Sequence, residues 1–412
     1  MSGDRQAEQR ALIVGAGMAG VQTAVALREQ GWSGSVTLLG EEPHQPYDRP
    51  PLSKAVLLGT AEGSAFDIDF DALGIELMLG RRATALRPDG RTVDTDTGPV
   101  GYDRLVIATG AEAITLPESA HLPGVHVLRT LDDARRLRSV LAEQREIVVV
   151  GAGWIGAEFA TAALEAGCPV TVVEAADRPL ADALPAEVAV HMGSWYADHG
   201  VRLLTGARVV AVEAGGVLLD DGSRLTADSV VVGIGARPAT GWLAGSGIEL
   251  CPDASIRADH RLRTNLPDVH AVGDCASFPS ARYGARLLVH HWDNALQGPS
   301  TVAANIVGAV HVVGKEEYGL DYDPVPYFWS EQFGRFVQYA GHHTAADTLI
   351  WRGDPGTPAW TVCWQHDGVL VALLAVGRPR DLAQGRRLIE RGARLDPLKA
   401  ADPSVPLKSA VS

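Results

Sequence analysis

Residues 45–54 read QPYDRPPLSK, with two cations, Arg49 and Lys54, set among prolines and no thiol. They follow a stretch in which Gly15, Gly17 and Gly20 are spaced GxGxxG between an apolar run and a helical pattern. Gly151, Gly153 and Gly156 repeat that spacing further along. The chemistry such a spacing offers is phosphate binding by main chain. The first glycine makes a tight turn, the second lets backbone approach a pyrophosphate, and the third lets helix pack on strand. The helix N-terminus then presents N–H groups and the positive end of its dipole to the anion. Each unit closes on an acid, Glu41 and Glu174, suited to ribose hydroxyls. A lone GxGxxG is also found as a glycine turn in other α/β domains. Two copies with the same flanks predict two bound dinucleotides.

The elements that must carry these turns are legible twice. ALIVGAGMAGVQTAVALREQGWSGSVTLLGEE and IVVVGAGWIGAEFATAALEAGCPVTVVEAAD each read as apolar strand, glycine turn, helix and second apolar strand. Downstream of each comes the same pattern of strand, Gly turn, strand, Gly turn and an apolar strand closing on Gly-Ala. Beyond Pro238 the pattern changes. A strand runs into Gly273-Asp274, and a helix begins near Trp292. From about Val325 the chain is strand-rich, with a hairpin turning at Asp367-Gly368 and a basic helix predicted over 380–396. The expected fold is α/β: two Rossmann-like dinucleotide-binding domains plus a C-terminal α+β domain. The expected boundaries are 1–115 and 246–324 for the first domain, 116–245 for the inserted second, and 325–412 for the third.

Composition narrows the function. The chain has 412 residues, enough for two or three cores, and its 21% charged content is that of an ordinary globular protein. A net charge of −14 argues against a general nucleic-acid binder. No signal peptide is expected of the polar N-terminus, no membrane span of apolar runs this short and broken, and no membrane partner. Cys168, Cys251, Cys275 and Cys363 stand singly, without a CxxC or CxxxxC, which fits a reducing cytoplasm and neither a local dithiol nor a zinc site.

The two fingerprints, the Ala108-Thr109-Gly110 strand end and Gly273-Asp274 resemble those of two-dinucleotide flavoprotein reductases related to glutathione reductase. PYDRPPLSK, HHWDNALQG, PYFWSEQFG and the tail RPRDLAQGRRLIERGARLDP resemble, more narrowly, the FAD-dependent NADH:ferredoxin reductases of bacterial oxygenase systems. The resemblance runs from Ala11 to about Asp402. It implies that Gly15, Ala16, Gly17, Gly20 and Glu41 hold FAD and that Gly151, Gly153, Gly156 and Glu174 hold NAD(H). It also implies that Ala83, Thr109, Arg129 and Asp274 lie along FAD, and that Glu158 orients the nicotinamide. Trp292 and Trp329 are implied beside the flavin; as isolated residues, tryptophans are more often packing.

Disulfide reductases of this superfamily carry redox cysteines where QPYDRPPLSK stands here. Without them, electrons must leave the flavin directly. Lys54 and Arg49 then have an electrostatic task, with Lys54, Glu158 and Trp292 the expected catalytic residues. A cation about 4 Å from a reduced, anionic ring stabilises it by roughly 4 kcal/mol at an effective dielectric of 20. That is on the order of 90 mV for a two-electron couple. Desolvation and pairing of Lys54 with Glu158 would reduce it. The plain alternative is an exposed proline-rich loop whose cations are merely solvated.

The partner implied is a two-iron two-sulfur ferredoxin, met transiently, and through it a terminal oxygenase. Between Arg378 and Lys399 seven basic and three acidic residues give a local charge of +4, either a solvated helix face or part of a dock for an acidic protein. Arg81-Arg82 is a lesser contributor. Glu174 favours the 2′-OH of NADH over the 2′-phosphate of NADPH, with Arg178 nearby as a competing influence. His290-His291 and His342-His343 are poor metal pairs, since strand neighbours face opposite ways. The alternatives are a rubredoxin reductase, a reductase acting on oxygen or quinones, a disulfide reductase, and a flavoprotein that acts chiefly by binding.

Overall fold

The computed structural model describes residues 9–117, 119, 122–213, 215–311 and 319–412. These divide by internal packing into two compact units. One comprises Met1–Asp48, Ala65–Glu112 and Arg237–Phe328; the other comprises Arg49–Ser64, Ala113–Ala236 and Trp329–Ser412.

In the first unit, five parallel strands form a sheet in the order Val269–Ala271, Arg104–Ile107, Arg10–Val14, Ser35–Leu39 and Ile75–Met78. Strands covered on both faces need apolar side chains at every position, so RALIV and RLVI read as runs rather than alternations. Helix Met18–Glu29 packs on helix Trp292–His311, and Gln30 Nε2 donates to the Ser300 carbonyl at 3.1 Å. A three-stranded antiparallel sheet, Ala83–Arg87, Thr92–Thr95 and Val100–Gly101, is the first meander the sequence predicts.

The second unit repeats the pattern. Its parallel sheet runs Arg202–Leu204, Val170–Val173, Ile147–Val150, Ser229–Val232 and Val125–His126, with helix Trp154–Glu165 after the glycine turn. The second meander is Val209–Glu213, Gly216–Leu219 and Arg224–Thr226. Both glycine-turn sheets therefore place the strand before the turn at the centre, as ligand binding at the carboxyl end requires.

The C-terminal region adds a five-stranded sheet ordered Tyr327–Gln332, Arg335–Gly341, Val369–Val376, Trp360–His366 and Thr348–Arg352. Its hairpin turns at Asp367 and Gly368 with φ of 48° and 77°, the two positive values a two-residue turn needs and Asp-Gly tolerates. The basic helix is shorter than predicted. It spans Pro379–Glu390 and stops at a Schellman motif: Ala393 N–H donates to the Leu388 carbonyl (2.9 Å) and Gly392 N–H to that of Ile389 (3.0 Å). Gly392 supplies the left-handed residue, with φ of 61°.

The edge strand Thr348–Arg352 ends on Arg352, 1% exposed. It donates to Asp381 Oδ2 (2.9 Å) and to the carbonyls of Ala400 (3.1 Å) and Val405 (2.6 Å), tying the chain's last segment to helix and strand. Burial alone would disfavour the Asp381 charge. The hydrogen bonds from Arg352 and Arg378 outweigh it and hold Asp381 below the usual carboxylate range.

Candidate functional site

The two glycine turns are built by the same exclusions. Gly15 has φ of 114°, and a Cβ there would lie 2.1 Å from the Ala108 carbonyl oxygen. Gly151 has φ of 101°, and its Cβ would lie 2.4 Å from the Gly233 oxygen. At the third positions, a Cβ on Gly20 would meet Gly15 O at 1.8 Å, and one on Gly156 would meet Gly151 O at 2.1 Å. Contacts that short are impossible, so strand, turn and helix approach as they do only because these residues lack side chains. Gly153 differs: its Cβ would enter open space. Both fingerprint helices begin at a glycine, Gly17 and Gly153, with no side-chain cap. An uncapped N-terminus behind a glycine turn fits the pyrophosphate of a dinucleotide in each unit.

Around the first turn the structure gathers several predicted residues. Ala16 lies against Gly40, whose Cβ would come within 2.7 Å of the alanine methyl. Asp274 sits in a short 3-10 turn at Gly273–Cys275, and a Cβ on Gly273 would come within 2.9 Å of the Ala19 methyl of the fingerprint helix. The turn is thus pressed against the helix whose N-terminus would carry the anion. Thr109 Oγ1 donates to the Ala239 carbonyl (2.8 Å), fixing the strand end. Ala83 opens the first strand of the meander, paired with Thr95. Glu41 forms an ion pair with Arg82 at 2.6 Å, and both side chains are well exposed. Trp292 opens its helix, and its indole Nε1–H donates to Asp48 Oδ1 at 2.7 Å. Asp48 lies inside QPYDRPPLSK, where nothing in the residue order marks it as the acceptor for a tryptophan 244 residues away.

In the second unit Lys54 and Glu158 meet. Lys54 Nζ lies 2.9 Å from Glu158 Oε2, with side-chain exposures of 24% and 7%. Glu158 occupies the first turns of helix Trp154–Glu165. Ser53, in a 3-10 turn primed by Pro50 and Pro51, donates its hydroxyl to the same oxygen at 2.5 Å. The prolines give this segment its fixed backbone, so the proline-rich composition serves an ordered turn and not a solvated loop. Glu158 Oε1 accepts from the Ser330 hydroxyl (2.8 Å) and the Glu331 N–H (3.3 Å). Arg49 Nη1 donates to the Arg129 carbonyl at 2.6 Å, bringing two predicted cations together, and Arg129 N–H donates to Asp133 Oδ2 at 3.1 Å.

Glu174 ends its strand facing the glycine turn. Its carboxylate accepts from the N–H groups of Ala152 (2.7 Å) and Ala176 (2.8 Å). Arg178 pairs with exposed Asp177 at 2.6 Å, and its Nε is buried without a hydrogen-bond partner. Tyr196, 1% exposed, has its phenol pushed up by burial and by the charge of Glu174.

The remaining candidates stand apart from these clusters. The four cysteines are free: Cys168, Cys275 and Cys363 are buried, and burial raises all three thiols, Cys363 to about 12. Among the described residues no group of three or more His, Cys, Asp or Glu side chains is placed to hold a metal, and no helix is long and apolar enough to cross a membrane. In the basic tail, Arg378 is committed to buried Asp381 at 2.6 Å.

Residues 9–298 match the pyridine nucleotide-disulphide oxidoreductase family and residues 327–411 the reductase C-terminal family. Rhodocoxin reductase of Rhodococcus erythropolis is 36% identical over 412 residues, covering 97% of this chain and 94% of its own. The ferredoxin–NAD(+) reductase component of the anthranilate 1,2-dioxygenase system of Burkholderia cepacia is 37% identical, over 97% of this chain and 98% of its own. The crystal structure of a covalent putidaredoxin reductase–putidaredoxin complex matches with a TM-score of 0.90 at 32% identity, over 98% of both chains. Two glycine turns and these whole-length likenesses agree: the chain belongs to the pyridine nucleotide-disulphide oxidoreductase family, in the group of ferredoxin reductases that carry the reductase C-terminal domain.

Proposed function

We propose that this chain is an FAD-dependent ferredoxin–NAD(+) reductase, taking electrons from NADH and delivering them singly to a two-iron two-sulfur ferredoxin that serves a mono- or dioxygenase. FAD supplies hydride acceptance and one-electron release when bound; the chain supplies position, charge and exclusion of water. The observation that supports the reading is the Lys54–Glu158 pair at 2.9 Å, a half-buried cation on a segment, QPYDRPPLSK, that holds no cysteine.

The residues divide the work. Gly15, Ala16, Gly17, Gly20, Thr109 and Asp274 cradle FAD, with Glu41 toward its ribose and Ala83, Arg49 and Arg129 along it. Lys54 supplies positive charge to the ring system, and Trp292, held by Asp48, walls it. Gly151, Gly153 and Gly156 carry the NADH pyrophosphate, Glu174 receives its ribose hydroxyls, and Glu158 orients its carboxamide. No proton need be moved by a general acid or base. We assign residues 1–115 and 246–324 to the FAD domain, 116–245 to the NAD domain and 325–412 to the C-terminal domain. The setting is cytoplasmic, where the four unpaired cysteines are stable.

The test compares acceptors. Purified holoprotein with NADH should reduce a two-iron two-sulfur ferredoxin at least about 100-fold faster than glutathione disulfide, a difference of about 2.7 kcal/mol in barrier. Comparable rates with both, or no rate with any iron–sulfur protein, would defeat the reading.

A further inference from the structure

The Lys54–Glu158 pair belongs to the proposed reading, but what holds the far side of that carboxylate does not. Glu158 is 6% exposed, and both its oxygens are engaged. Oε2 faces Ser53 (2.5 Å) and Lys54 (2.9 Å). Oε1 faces the Ser330 hydroxyl at 2.8 Å and the Glu331 N–H at 3.3 Å. Ser330 and Gln332 are each 1% exposed. Gln332 Nε2 donates to Ser330 Oγ at 3.1 Å. With its oxygen accepting from that amide, the Ser330 proton is directed at Glu158. The chain of donation therefore runs one way, Gln332 to Ser330 to Glu158, from the first strand of the C-terminal sheet to the fingerprint helix.

We propose that Ser330, oriented by Gln332, is a positioning residue. It holds Glu158 Oε1 so that the carboxylate's attraction is shared, and so sets how much of the Lys54 charge remains to act on bound flavin. This rests on the roles proposed above for Lys54 and Glu158. A carboxylate with several donors divides its field among them. Without the Ser330 hydroxyl, Oε1 keeps only the longer backbone contact, and more of the negative charge falls on Lys54. The terminal torsion of glutamate is also soft, so a carboxylate that loses a donor turns more freely. The first effect makes flavin harder to reduce. The second aims the nicotinamide less well.

The test uses FAD-loaded protein and the variants Ser330→Ala, Ser330→Thr, Gln332→Leu and Lys54→Met. Flavin midpoint potential is read by dye equilibration, limiting flavin reduction by NADH in stopped flow, and NADH affinity by the concentration dependence of that rate. Ser330→Ala should lower the equilibrium constant for flavin reduction about tenfold, seen as a potential about 30 mV more negative. Its limiting reduction rate should fall about tenfold while NADH affinity stays within about twofold, the split expected when orientation and not binding is lost. Ser330→Thr, which keeps the hydroxyl, should restore both, and Gln332→Leu should shift both the same way by less. A wild-type potential and rate in Ser330→Ala, or a threonine variant no better than alanine, overturns the inference. If Ser330→Ala yields no holoprotein, Gln332→Leu decides: a wild-type potential there overturns it equally. Lys54→Met keeps the two claims separate. If it leaves the potential unchanged, the reading of Lys54 fails; if it lowers the potential and Ser330→Ala does not, only the role of Ser330 fails.

Discussion

At the first glycine turn a Cβ on Gly20 would lie 1.8 Å from the Gly15 carbonyl oxygen; at the second, a Cβ on Gly156 would lie 2.1 Å from that of Gly151. Four strands of each sheet share one order, with the strand before the glycine turn at the centre, and both helices start uncapped. The side chains that ride on this common frame are not alike. Two residues beyond the third glycine stands Gln22 in one unit and buried, four-times-bonded Glu158 in the other. The acid closing the first unit, Glu41, is exposed and paired with Arg82; the acid closing the second, Glu174, is gripped by two backbone amides. Steric exclusion fixes the backbone of both turns. What each does with its nucleotide is left to positions the backbone does not constrain.

The comparison can be broken in graded steps. The largest effect should come from outside both turns. Arg352→Ala leaves Asp381 to Arg378 and takes the donor from the buried carbonyls of Ala400 and Val405; it should cost about 3–5 kcal/mol, read as a chemical-denaturation midpoint, with no preference between the two cofactors. The same pair sets an acid limit. Asp381 is held below its usual range, so the folded state binds this proton less tightly than the unfolded chain does. Its contribution is therefore full above the unfolded value of about 3.9 and lost as pH falls through the lower folded value. Thermal melts between pH 5 and pH 3 should drop less steeply in Asp381→Asn than in wild type.

Next come the glycines, one turn at a time. Overpacking of about 3 kcal/mol corresponds to roughly 100-fold in affinity. Gly20→Val should empty the protein of FAD, whereas Gly156→Val should keep FAD and weaken NADH. Loss of both cofactors in either variant would show that the turns are not independent. Lys54→Ala should slow flavin reduction about tenfold, near 1.4 kcal/mol in barrier. An unchanged rate constant would remove Lys54 from the chemistry. Smallest is the contrast of the two acids. Glu174→Ala should narrow the NADH:NADPH ratio of specificity constants about tenfold, the size of one charge-assisted contact. Glu41→Ala, an exposed partner of Arg82, should leave that ratio alone.

Much of this was readable from residue order, because the signals are local. An apolar run before GxGxxG names a buried strand and a turn, and Asp367-Gly368 names its hairpin. Lys54 and Glu158 each stand out in the residue order, and their pairing is the condition the sequence sets on the Lys54 charge. The anchors behind them were not. Ser330 stands 172 residues from Glu158, and nothing in PYFWSEQFG marks that serine as a donor to a distant helix. Arg352 reads as one more cation near a hydrophobic strand; only the fold shows the buried carboxylate and carbonyls it satisfies. The sequence predicts too long a basic helix because Gly392 sits amid good helix formers, and its positive φ is a property of the cap rather than of composition. Segment Arg49–Ser64 packs with the second unit though it lies in sequence within the first, a consequence of tertiary partners that no window of residues reports.

The most direct test of the central claim, that electrons leave the flavin for an external cluster with no thiol between, is an anaerobic titration. Holoprotein is reduced with NADH in stoichiometric steps, oxidised two-iron two-sulfur ferredoxin is then added, and flavin and cluster absorbance are followed together. The account predicts flavin bleaching complete at one NADH per FAD, then recovery of the oxidised flavin spectrum as two ferredoxins are reduced. A second equivalent of NADH consumed before the flavin bleaches, with a newly titratable thiol pair, or a bleached flavin that ferredoxin cannot restore, would contradict it.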